Sequence, residues 1–126
     1  MRGAALLALF PLIALQACAP EPPPARQKLV LDCSLPYETL AAQVLAQPGL
    51  KPAPQERGEP YGFYNMEGGG EAFVLTHRGA PGHPAVFKQE AVQENGRKAM
   101  KNIGCAYGDK AGFDEVMAYL ESLSAR

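Results

Sequence analysis

Residues 85–107 read AVFKQEAVQENGRKAMKNIGCAY, and how they fold decides the architecture. Asn95-Gly96 sits at the middle, and both residues tolerate the positive φ that a two-residue hairpin turn requires. Before the turn, Ala85–Val92 reads as a strand. After it, Ala99, Lys101, Ile103, Cys105 and Tyr107 alternate with Met100, Asn102 and Gly104, the period-two pattern of a pleated strand. A helix competes over residues 97–102, because Arg, Lys, Ala and Met are good helix formers. Strand and helix both stay open there.

Upstream, Tyr61–Met66 (YGFYNM) and Ala72–His77 (AFVLTH) are two more strand-like runs joined by Gly68-Gly69-Gly70. Residues 51–60 (KPAPQERGEP) and 78–84 (RGAPGHP) are Pro- and Gly-rich, and both read as surface loops. Leu29-Val30-Leu31 reads as a short buried strand. Tyr37, Leu40, Ala41, Val44 and Leu45 then recur at helical spacing, with Ser34 as cap, Pro36 and Glu38 in the first turn and Pro48-Gly49 as the stop. A last helix follows Asp109, its face made of Phe113, Val116, Met117, Leu120 and Leu123. The expected order is β-α-β-β-β-β-α. It argues for an α+β fold: a small antiparallel sheet of about four or five strands with two helices packed on one face.

The chain has 126 residues, 12 Lys+Arg against 13 Asp+Glu, 13 Gly, 12 Pro and 3 Cys. That length supports one domain. The balanced charge excludes a basic nucleic-acid footprint and an acidic disordered tail.

The first residues form an address. Arg2 precedes an apolar run from Ala4 to Leu15, which falls short of the roughly 20 residues that span a bilayer and suits the h-region of a secretory signal. Leu15-Gln16-Ala17-Cys18 follows. It resembles the lipobox of bacterial lipoprotein precursors, with an aliphatic residue three before the cysteine and a small residue directly before it; Gln16 departs from the usual small residue between them. The resemblance covers about the first 20 residues. It implies cleavage after residue 17, so that 1–17 is a signal peptide and Cys18 becomes a lipidated N-terminus carrying acyl chains such as palmitate. The competing reading is an ordinary signal on a soluble secreted protein. Ala19 stands where an Asp would favour the inner membrane, so the expected location is the cell envelope, at the outer membrane, with the domain facing the periplasm. Residues 18–27 hold Pro20, Pro22, Pro23 and Pro24 and read as a Pro-rich tether. Residues 28–126 are then the single domain.

Cys18 is assigned to lipid, which leaves Cys33 and Cys105 as an even pair in an oxidising compartment and predicts a structural disulfide. The wide spacing is unlike that of a redox pair.

No enzyme signature stands out. Ser34, Ser122 and Ser124 lie outside any nucleophile elbow, and the triple glycine lacks the Lys-Ser/Thr of a phosphate loop. His77 and His83 are weak metal candidates; Glu71 or Asp109 would have to complete a site. No cofactor is expected. Tyr61, Phe63 and Tyr64 put aromatic area on both sides of one strand and form the candidate binding surface. The leading expectation is a non-enzymatic binding or envelope-maintenance module. Its partners are the lipid bilayer, through acylated Cys18, and an envelope protein or cell-wall component, with no nucleic acid. The alternative is a small periplasmic enzyme, inhibitor or metal or small-ligand binder using the loop around His77 and His83.

Overall fold

The computed structural model describes residues 26–124 together with Gly3, Pro11 and residues 18–21. The expected signal peptide, apart from Gly3 and Pro11, and residues 22–25 of the tether lie outside the described residues.

The hairpin forms as its turn requires. Asn95 and Gly96 have φ of 50° and 75°, the positive pair that matches the right-handed twist of the flanking strands. Strands β4 (Ala85–Glu94) and β5 (Arg97–Ala106) pair along all ten residues, from Glu94 opposite Arg97 to Ala85 opposite Ala106. Residues 97–102 are therefore strand. Helix propensity differs by only a few tenths of a kcal/mol per residue, and a complete ladder against β4 outweighs it. Three shorter strands continue the meander: β1 (Leu50–Pro52), β2 (Tyr61–Met66) and β3 (Glu71–Thr76). The sheet runs β1-β2-β3-β4-β5 and is antiparallel throughout. Helix α1 (Tyr37–Leu45) precedes it and α2 (Lys110–Ser124) follows it.

The chain is thus a small α+β fold with element order α-β-β-β-β-β-α, which corrects the expected order at its start. Leu29–Leu31 joins no strand; it lies across the sheet as an extended strap whose Leu29 and Leu31 pack on the core. Three apolar residues in a row report burial, not strand pairing, which explains the difference. The edge strand comes instead from Leu50–Pro52, which takes in the first two residues of the stretch read as a loop. There Lys51 lies opposite Asn65, and Pro52 falls at the parity that faces away from β2, so its missing N–H interrupts nothing and the Ala53 amide still donates to the Phe63 carbonyl at 2.8 Å. Ser34 does not cap α1 either. It is held by Asp32, whose Oδ1 accepts from the Ser34 amide at 3.0 Å and hydroxyl at 2.6 Å, and Pro36 occupies the N-cap position.

The two helices cover opposite faces, not one. Phe73 and Leu75 of β3 and Val86 of β4 pack with Leu40 and Val44 of α1. Their neighbours Val74, Ala85 and Phe87 pack with Phe113, Val116 and Leu120 of α2. Alternation along a strand sends successive side chains to opposite faces, so a central strand that is apolar at both parities needs cover on both. β3 is such a strand: Phe73, Val74, Leu75 and Thr76 are all buried.

Nine residues of α1 cannot cover its whole face. The strap covers the remainder, and there the sheet is ionic. Glu71 and Lys88 are 4% and 3% exposed. Lys88 Nζ lies 3.0 Å from Glu71 Oε2 and donates to the Leu29 carbonyl at 2.9 Å. Arg26 pairs with Glu71, and Lys28 pairs with Glu90 at 2.8 Å. A charge can stay buried only when it is paired and hydrogen-bonded. The strap supplies those partners, and the sheet in turn fixes the strap.

Candidate functional site

Where the α1 face meets the loop after β3, aromatic and imidazole side chains collect around one buried glycine. A side chain on Gly62 would lie 3.1 Å from His77 Nε2, 3.1 Å from Tyr64 Cε2 and 3.2 Å from the Tyr64 hydroxyl. Two polar atoms, one from β2 and one from the residue just past β3, therefore converge over the Gly62 backbone. The register explains it. Gly62 lies opposite Leu75 and Tyr61 opposite Thr76, so Gly62, Tyr64 and His77 all face the α1 side. The His77 amide donates to the Pro60 carbonyl at 2.8 Å, which extends the pairing by one residue and fixes the imidazole beside Tyr64.

Tyr37, at the start of α1, forms the second side of this patch. Its ring meets His83 edge-on at 6.0 Å and Tyr107 edge-on at 5.7 Å between centroids. Its hydroxyl donates to the Thr76 carbonyl at 3.4 Å, and the Tyr107 hydroxyl donates to the Leu35 carbonyl at 2.8 Å. Burial, then the neighbouring Glu38 and Tyr64, raise the Tyr37 phenol above its ordinary value; burial, then Asp32, raise Tyr107. Both phenols remain neutral at physiological pH. They offer apolar rings with hydrogen-bonding tips.

His83 is anchored. Its Nδ1 lies 2.9 Å from the Thr76 hydroxyl, which also accepts from the Ala85 amide at 2.8 Å. The hydroxyl can donate to or accept from the imidazole, so either ring tautomer is accommodated. Close backbone contact places the loop: a side chain on Gly82 would stand 2.3 Å from the Phe113 amide nitrogen, and one on Gly112 would stand 2.2 Å from that of Gly82. Glycine at both positions lets the loop touch the first turn of α2. Asp109 caps that turn, accepting from the Gly112 amide at 2.9 Å.

The sequence-level candidates are thus divided between sites. Tyr64 and His77 come together, and Tyr37 links them to His83. Tyr61 and Phe63 point to the α2 face, where Tyr61 stacks on Tyr119 at 5.9 Å and Phe63 packs beside the Val74–Phe87 core. Burial, then Glu115, Tyr119 and Glu59, raise the Tyr61 phenol. The acids that might have completed a metal site are used elsewhere: Glu71 in the strap's ion cluster and Asp109 in the α2 cap. Among the described residues, no three His, Cys, Asp or Glu side chains gather where they could hold a metal ion. Tyr37 and Tyr107 were not legible as site residues. The first sits on an amphipathic helix and the second on a strand's buried parity, and sequence alone reads both as core.

Cys33 and Cys105 form a disulfide with Cα atoms 5.2 Å apart, joining the turn before α1 to the end of β5. Cys18 is exposed and has no disulfide partner. Among the described residues, no helix is long and apolar enough to cross a membrane. No family model, curated protein or solved structure matches the chain.

Proposed function

We propose that this protein is a bacterial lipoprotein whose domain binds an envelope partner, without catalysis, through the patch built by Tyr37, Tyr64 and His77. The convergence of the Tyr64 hydroxyl and His77 Nε2 over Gly62 carries this reading: it presents a phenol ring, an imidazole ring and two hydrogen-bonding atoms on one face of the sheet. The lipobox-like Leu15-Gln16-Ala17-Cys18 supports the anchor, and acyl burial contributes about 0.8 kcal/mol per methylene. Cleavage before Cys18 removes Arg2, so the formal charge moves from −1 to −2 and the lipid holds the membrane without a basic patch. Ala19 favours the outer membrane, with the domain in the periplasm. The remaining tether, extended at about 3.1 Å per residue, sets the domain's reach from the bilayer.

Two measurements test the parts separately. Cys18→Ala is expected to move the protein from the membrane fraction to the soluble periplasmic fraction and to abolish labelling by a palmitate analogue; retention and labelling would overturn the anchor. Proximity labelling in the native envelope, comparing the parent with Tyr64→Ala/His77→Ala, is expected to lose a defined set of neighbours. An unchanged set from a folded variant would overturn the patch.

A further inference from the structure

The two edges of the sheet are built differently. β1 is three residues long, ends at Pro52 and is followed by Pro54; short length and proline are the usual protection of an edge. β5 is ten residues long and contains no proline. Glu94 and Arg97 flank the two-residue turn and so form a hydrogen-bonded pair. Every second residue beyond them turns its backbone toward β4, and the Tyr107 amide, donating to the Pro84 carbonyl at 3.1 Å, keeps that parity. Lys98, Met100 and Asn102 therefore direct both N–H and C=O outward from the sheet. Among the described residues, no backbone group pairs with them. The disulfide turn closes the strand only at its far end, at Cys105.

The charges carried by β5 itself have one sign, while Glu94 and Glu90 of β4 lie opposite Arg97 and Lys101 and Glu121 stands across the groove from Lys98. Arg97, Lys98 and Lys101 lie within five consecutive residues, all exposed, and none is ion-paired among the described residues. Beside them runs a groove of about 430 Å³ between β5 and the end of α2, lined by Lys98, Met100, Asn102, Glu121 and Ser124. Met100 is 39% exposed along it.

We infer that the Lys98–Asn102 edge accepts an extended acidic peptide segment as a sixth strand, with one parity of its side chains entering the groove beside Met100. Strand addition supplies main-chain hydrogen bonds, and alternate side chains supply selectivity. The three cations decide the occupant. A second copy of β5 would bring its own cations against them, and like charges across a strand pair are destabilising. A strand carrying Asp or Glu reverses that sign. This surface lies on the far edge of the sheet from Tyr64, and the inference stands independently of the lipid anchor and the aromatic patch.

The test uses the full chain purified in detergent and a blocked peptide alternating Glu with Val and Thr. Saturable binding is expected, with amide shifts centred on Lys98, Met100 and Asn102, and no binding is expected for the counterpart with Lys in place of Glu. Lys98→Glu/Lys101→Glu is expected to weaken binding at least tenfold. Met100→Pro removes an outward N–H, leaves the β4 ladder and every charge in place, and is expected to weaken it at least as much. Absence of binding by the acidic peptide overturns the inference, as do shifts located away from β5. Equal binding by a folded Met100→Pro protein overturns it as well, because attraction by charge alone needs no strand. If Met100→Pro fails to fold, the shifts in the parent protein decide. A concentration-dependent dimer seen by sedimentation and mapped to the same amides would mean that a second copy is the occupant, and would overturn the acidic-strand assignment.

Discussion

Glu71 remains ionised although the sheet and strap bury it. Burial alone would raise its carboxyl, but hydrogen bonds and attraction from Arg26 and Lys88 outweigh that cost and hold it below its ordinary value of 4.5. The sign follows from linkage: a depressed carboxylate contributes stability that is present above its unfolded value and lost as pH falls through its folded one. Lys88→Met leaves Glu71 without its buried cation and is expected to cost about 3 kcal/mol near neutral pH. Urea unfolding at pH 7 and below pH 4 checks this, and the difference between parent and variant should shrink on the acid side. Gly112 gives a second prediction at the same scale. Alanine in a helix interior is ordinarily better than glycine by about 1 kcal/mol, yet here the new methyl would lie 2.2 Å from the Gly82 nitrogen. Backbone must move on both sides, so Gly112→Ala is expected to be net destabilising by about 1–2 kcal/mol, read as a lowered thermal midpoint.

Elements differ in how much they owe to local signals. The β4–β5 hairpin is almost wholly local. Its turn residues and its alternation point the same way, and the ladder they start runs without a bulge. Helix α1 is the opposite case. At nine residues it is too short to be stable in water by itself, and it depends on Leu40 and Val44, both fully buried against β3 and β4. The Cys33–Cys105 disulfide holds the chain just ahead of that helix to β5 across a sequence separation of 72. By the chain-entropy relation, closing such a loop stabilises the fold by about 4 kcal/mol. Reduction, or Cys33→Ser/Cys105→Ser, is expected to lower stability by that order. Denaturant titration with and without a reductant measures it, and the Tyr37–His83–Tyr107 contacts should loosen together with α1.

At the scale of the whole molecule, one sheet is covered in two ways. The α2 face carries a single fifteen-residue helix. The α1 face is shared between a short helix over apolar residues and a strap over charged ones, so the segment from Arg26 to Leu31 belongs to the core. Leu29 and Leu31 pack there, and Arg26 and Lys28 close its ion cluster. Cys18 lies ahead of those contacts in the chain and makes no disulfide. Cys18→Ala is therefore expected to change where the protein resides while leaving its thermal midpoint within a degree or so of the parent, as calorimetry on the purified proteins would show.

The two helices, the hairpin at Asn95-Gly96 and the cysteine pairing were legible from residues alone, because each rests on short-range periodicity, turn chemistry or the parity of a count. Tertiary structure decided the rest. Whether Leu29–Leu31 is strand or strap depends on a partner such as Lys88, 59 residues along the chain from Leu29. Which face each helix covers depends on the parity at which both sides of β3 are apolar. Tyr64 and His77 meet only because the β2–β3 register sets them over Gly62. A sequence records the period of its own side chains; it does not record which distant segment lies across them, and the α1 face of this protein is assembled from such segments.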